Sequence, residues 1–233
     1  MPDGFPNKPK ILRGAFVEYG LSLPPLFVVF QFNPIQLTRN RSLTYAAPSG
    51  GGTTSQTLRA LHQREFEDKD DLMAIQELQT VTVQEESINF EIRLDATDDL
   101  NDGDTITEQF GIAPQLSTLE LMVHPKEESL LGQALGSLLG SPGGFSCTKK
   151  PNPPMILFIW GRKRVLPVNI NSLNITESQF STDLNPIRAT VSVNLTVIEG
   201  KSLPYMYTKA MKEAMSVLNL ANIADIADVV IPG

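Results

Sequence analysis

Residues 28–45, VVFQFNPIQLTRNRSLTY, decide how the rest of the chain is read. β-Formers occupy 28–32, the run stops at Asn33-Pro34, and polar and apolar residues then alternate. Pro34 has no N–H to give a sheet ladder and biases Asn33 toward extended backbone. The local expectation is a strand, a tight corner and a second strand.

Working outward, three later segments alternate with the period of a half-buried strand. In SINFEIRLDAT the apolar set is Ile88, Phe90, Ile92 and Leu94; in RATVSVNLTVIEG it is Val191, Val193, Leu195 and Val197. In RVLPVNINSLNIT the set Leu166, Val168, Ile170 changes phase to Leu173, Ile175. A bulge or corner near Asn171-Ser172 makes that slip. Each segment has one greasy and one polar face, as in an antiparallel sheet wet on one side. Residues 155–160, MILFIW, are apolar throughout, which suits a central strand covered on both faces or a strand buried against a partner subunit. With strands near 10–18 and 26–45, about six strands result, and the fold class is mainly β (α+β).

Helices are expected between them. GIAPQLSTLELMVHP places Pro114 in a first turn and Leu116, Leu119 and Val123 on one face. EESLLGQALGSLLGS is a weaker helix because its glycines cost about 1 kcal/mol each. Residues 46–85, opening on APSGGGTTSQT and ending in the short helix DLMAIQELQ, read as an insertion between sheet strands, and 125–150 as a second one. The division is therefore a β domain over 1–200 and a C-terminal helix and tail over 201–233. In that tail Met206, Ala210, Ala214 and Val217 share a helix face, and Ile223, Ile226 and Val229 recur every third residue. The stripe packs onto its own domain or docks on a neighbouring subunit.

Composition narrows the function. The 233 residues are 41% hydrophobic, enough for one sizeable core. Net charge is −7 and the one dense basic cluster is 162–164, which argues against nucleic acid, whose phosphates need a broad cationic surface. The single Cys147 permits no internal disulfide, as in a chain made in a reducing compartment. The start MPDGFPNKPK lacks the apolar stretch of a secretory signal. The longest charge-free apolar run, 214–224, is short of the roughly 20 residues of a spanning helix. Cytoplasmic synthesis without direct membrane insertion is the expectation.

Catalytic and cofactor signatures are thin. His62, His124 and Cys147 do not stand at zinc-site spacing, and the glycine runs lack a phosphate-loop lysine. DDLNDGD (98–104) resembles a calcium loop but has Leu100 at the third position and Gln109 at the twelfth; it reads as an acidic surface loop. The carboxylates of Asp95, Asp98 and Asp99 leave open a hydrolase reading. The expectation is no cofactor, no metal and no enzyme activity.

Four pieces, taken in order, resemble the tube-type baseplate proteins of contractile injection systems, the phage-tail-like particles. They are the corner Phe30-Gln31-Phe32-Asn33-Pro34; the strand end Leu94-Asp95-Ala96-Thr97; PPMILFIWG with Pro154, Phe158, Trp160 and Gly161; and PIRATVSVNL with Arg188, Ala189 and Thr190. The resemblance covers roughly the first 200 residues. It implies a tail-tube-like antiparallel β-barrel or sandwich with a packed helix. It also implies a homohexameric ring joining an inner tube protein to a central spike protein among other baseplate proteins, and templating tube assembly. Some relatives end in a cell-wall-binding LysM domain, for which 200–233 is too short, so the tail is expected to hold a neighbouring component. Arg39 and Arg41, on one face of TRNRS, are candidates for the lumen or an adjacent subunit, and Ile223 and Ile226 for an interface. The alternative is a module of the same particle that binds cell-wall glycan or cargo.

Overall fold

The computed structural model describes residues 11–20, 25–48, 57–64, 71–125 and 152–221. The strands are β1 (Ala15–Glu18), β2 (Phe27–Val29), β3 (Leu37–Asn40), β4 (Leu43–Ala46), β5 (Thr80–Val83), β6 (Ser87–Asp95), β7 (Ile156–Ile159), β8 (Val165–Phe180) and β9 (Pro186–Val197). The helices are α1 (Leu58–His62), α2 (Asp71–Leu78), α3 (Thr97–Asn101), α4 (Thr105–Phe110), α5 (Ala113–Val123) and α6 (Leu203–Leu218). The chain divides into two compact units, one of Met1–Thr38 with Ile88–Gly233 and one of Arg39–Ser87.

The larger unit is built on a mostly antiparallel sheet of seven strands in the order β2-β1-β7-β8-β9-β6-β3. The expected period-two sets are its core: Ile88, Phe90, Ile92 and Leu94 of β6 and Val191, Val193, Leu195 and Val197 of β9 are all buried. The phase slip in β8 is a register shift between Ile170 and Ser172 against β9, so the extra residue re-aims the strand as expected. β7 pairs with β1 on one side and β8 on the other, which makes it an interior strand with Ile156 and Phe158 buried in its own core.

The sheet is open and does not close into the barrel allowed for from the sequence. Its edges are β2 and β3, yet it curls strongly. Phe16 on β1 and Phe90 on β6 lie four steps apart in the strand order, about 19 Å in a flat sheet. Their ring centroids are 6.0 Å apart. Phe30 and Phe158 join them, with Phe16 and Phe30 edge to face at 5.2 Å, a geometry favoured by the ring quadrupoles. α5 adds Leu116, Leu119 and Met122 to this core. Met122 stands where Val123 was expected, because 116, 119 and 122 follow the i+3 row while Val123 sits half-buried at the helix end.

Three further expectations are corrected. The acidic stretch 98–104 is helical in its first half, 98–101 lying in α3, and its second half is the turn to α4, made at Gly103 with φ +72°. The Asp104 side chain caps α4 by accepting from the Thr107 N–H at 2.9 Å and the Thr107 hydroxyl at 2.6 Å. The insertion is wider than 46–85, because β4 pairs with β5 (Leu43 with Val83, Tyr45 with Val81). The second half of the opening strand pair thus belongs to the smaller unit with α1 and α2. On α6 the stripe Met206, Ala210, Ala214, Val217 is exposed and so does not pack on its own domain, the first of its two expected places; Thr208 faces that domain instead. The 125–150 insertion beyond Pro125, Ile223 and Ile226 lie outside the described residues.

Candidate interaction face and the joint that frames it

The corner 30–34 links the two edges of the curled sheet, running from β2 to β3. Its side chains alternate in destination as extended backbone requires. Phe30 enters the aromatic core. Gln31 behaves as a surrogate strand: its Nε2 donates to the Asp95 carbonyl at 2.6 Å and its Oε1 accepts from the Asp95 N–H at 2.7 Å. Phe32 forms an antiparallel bridge with Arg93 and stays half-exposed. Asn33 turns back to the amino-terminal segment, accepting from the Gly14 N–H at 2.9 Å and donating to the Leu12 carbonyl at 2.8 Å. Pro34 then ends any further ladder for want of an N–H.

The two other polar motifs meet beside this corner. Asp95 Oδ1 accepts from the Thr97 N–H at 2.9 Å and from the Thr97 hydroxyl. Its Oδ2 takes Arg188 Nε at 2.8 Å and Nη2 at 2.6 Å. Ala96 and Ala189 are buried, and the Ala96 N–H donates to the Ile187 carbonyl at 2.8 Å. Asp95-Ala96-Thr97 and Arg188-Ala189-Thr190 are thus two halves of one joint, polar side chains outward and methyls inward. Burial of the Asp95 carboxyl acts to raise its pKa; the Thr97 hydroxyl and N–H and the Arg188 guanidinium outweigh it, and the group sits below the ordinary aspartate value.

The joint is one end of a polar lattice on the outer face of β8, β9 and β6. The β8–β9 register sets Ser172 opposite Asn194, Asn174 opposite Ser192, Thr176 opposite Thr190 and Ser178 opposite Arg188. Across to β6, Asn194 bonds Asn89 and Ser192 approaches Glu91 at 3.5 Å. Asn171, at the bulge, donates to Asn194 at 2.7 Å and Thr196 at 2.6 Å. The corner, from Phe32 to Gln36, walls this face into a groove of about 1110 Å³ whose charged lining is Glu91, Arg93, Asp95 and Arg188. Short hydroxyls and amides with two charges of each sign share the lining with apolar side chains such as Phe32, Pro34 and Ile35, a mixed, charge-balanced surface suited to non-covalent contact.

The remaining candidates fall elsewhere. Pro154 is half-buried before β7, and Trp160 stacks on Phe158 at 6.0 Å, facing inward as part of the aromatic core. Gly161 takes φ +66° in the turn to β8. Arg39 and Arg41 belong to the smaller unit, where both engage the buried Glu86: Arg39 in a short ion pair, Arg41 at 3.2 Å. Their pairing satisfies the Glu86 charge, since burying it unpaired is far costlier. Asp98, Asp99 and Asp102 are exposed on α3 and its cap. Among the described residues no group of three His, Cys, Asp or Glu is placed to hold a metal ion, and no helix is long and apolar enough to cross a membrane.

Four residues central to this geometry carried no signal in the sequence. Gln31 was a spacer within the corner motif, Glu86 one of several acids before a strand, and Thr208 a polar interruption of a helix. Gly111 adopts φ +56°, and a Cβ there would stand 2.1 Å from the Pro186 carbonyl oxygen; glycine alone lets α4 abut the start of β9. Compared with protein-family models and with curated proteins, the chain matches none.

Proposed function

We propose that the chain is a structural, non-enzymatic component of the baseplate of a contractile injection system. Six copies close into a ring that joins the inner tube to the spike and offers the tube its first template. The larger unit is then a tail-tube-like domain, with the polar lattice of β8, β9 and β6 turned to the lumen.

One observation carries this reading. The sequence pieces that resemble the tube-type baseplate proteins are far apart in the chain, and three of them assemble into one joint around Asp95. The fourth supplies Phe158 and Trp160 to the core beneath. They act together as the frame of a sheet, the role a shared architecture requires, and the groove beside them has a charge-balanced lining of mixed polar and apolar side chains. A closed ring also covers the sheet edges that β2 and β3 leave open.

The test is electron microscopy of particles with and without the chain. Six-fold density for it between tube and spike, and particles lacking tubes of normal length when it is deleted, are the expected results. Normal tubes in its absence remove the templating role, and its absence from purified particles removes the reading altogether.

A further inference from the structure

We infer that α6 and the turn before β8 form a docking surface for the α3–α4 end of a second copy of this chain. The inference rests on the ring reading above and names its contact.

α6 is seated on its own domain by Tyr205, packed against the core, and by hydrogen bonds. Tyr207 donates its hydroxyl to the Arg162 carbonyl at 2.7 Å. The buried Thr208 hydroxyl accepts from the Val165 N–H at 2.9 Å and donates to its carbonyl at 2.7 Å. At 100° per residue, the side of the helix opposite Thr208 carries Leu203, Met206, Ala210 and Val217, with Glu213 on its flank. Leu203 is 83%, Met206 54% and Val217 64% exposed. Large apolar side chains held outward this way mark an interaction site.

Charge chooses the occupant. In a chain of net charge −7, residues 200–221 hold three lysines against one glutamate, and the seat of the helix is the basic cluster 162–164. The complementary surface is in the same chain. Residues 97–110 hold five acids and no base, and Ile106 and Phe110 stand among them 60% and 50% exposed. Each surface pairs an apolar centre with a charged rim, and the rims are of opposite sign. Apolar centres supply interface energy and rims set orientation and partner.

The two surfaces lie at opposite ends of the β8–β9 pair. α6 is tied to Val165, where β8 begins. The α3–α4 segment is tied to the other end, through Ala96 to Ile187 at 2.8 Å and Gln109 to Asn185 at 2.7 Å. The residues of β8 between them span up to roughly 50 Å. One copy cannot bring its own surfaces together, so they meet head to tail between copies, the heterologous contact from which rings are made.

The experiment is sedimentation velocity on the full chain over a concentration series, with two charge-reversed variants, Arg162→Glu/Lys209→Glu and Asp102→Lys/Glu108→Lys. Wild type is expected to self-associate, less so in high salt. Each variant alone is expected to associate at least about tenfold more weakly, and an equimolar mixture of the two to recover association, because mixing restores opposite charges at every contact. Thermal melts establish that the variants are folded; if a reversal unfolds the chain, Arg162→Gln/Lys209→Gln and Asp102→Asn/Glu108→Gln take its place, each expected to weaken association. Wild-type-like association of both variants, or a mixture that fails to recover, overturns the contact and leaves the ring standing. A wild-type chain that stays monomeric at every concentration overturns the contact, and its absence as a ring from the particle overturns the ring reading as well.

Discussion

Asp95 concentrates more structure than any other side chain described. Its backbone is clasped by Gln31, one carboxylate oxygen holds Thr97 and the other holds Arg188. Because the folded pKa lies below the ordinary 3.8, the linkage has a definite sign. The stabilisation is full above that value and is lost as pH falls through the lower folded value. Asp104, capping α4 through Thr107, is shifted in the same direction and adds to the same acid loss. Arg188 is more than a third exposed, so screening holds the Asp95 contribution to about 1 kcal/mol. Urea unfolding of Asp95→Asn at neutral pH should therefore start about 1 kcal/mol below wild type, and the gap should narrow below about pH 4. A gap independent of pH would mean that the charge is not what the joint uses.

At the scale of elements, α6 illustrates how a helix can be placed by one hydroxyl. Propensity and apolar spacing make the helix; they do not say which side faces the sheet, since Met206, Ala210, Ala214 and Val217 form the greasier stripe and point outward. Thr208 decides it, because its single oxygen serves both backbone groups of Val165, and those groups, once buried by the helix, must be satisfied. Thr208→Val keeps the shape and removes the bonds. It should cost about 1–3 kcal/mol and speed hydrogen exchange at the Val165 amide and along α6, while Thr208→Ser keeps most of the protection. Unchanged exchange in the valine variant would mean that apolar contacts alone seat the helix. The corner works on the same logic: Asn33 and Gln31 supply by side chain the hydrogen bonds that Pro34 denies to a continuous ladder.

At the scale of the whole molecule, stability and the candidate face are separable. The core is held by Phe16, Phe30, Phe90 and Phe158 with α5 across them, whereas the charged groove side chains Glu91 and Arg93 are exposed. Glu91→Gln with Arg93→Gln should leave the melting transition within the roughly 0.5 kcal/mol typical of surface changes. The same pair is expected to alter passage or assembly in the particle, read as release of cargo or yield of full-length tubes. A large loss of stability would place the face within the core's own support instead.

The amino-acid sequence by itself determined the strand periods, the buried sets of β6 and β9, the bulge near Asn171-Ser172 and the corner at Asn33-Pro34. These are local: a period of two, a phase slip and a missing N–H act over a few residues and need no partner to be read. Tertiary structure alone decided that the sheet stays open, that β4 leaves it for the smaller unit, and that Arg39 and Arg41 converge on Glu86. It also decided that Asp95 and Arg188 are one joint and that the α6 stripe faces out. Each of these depends on which distant groups compete for the same hydrogen bond or the same buried space. Residue spacing along a chain does not encode that competition; the folded arrangement resolves it.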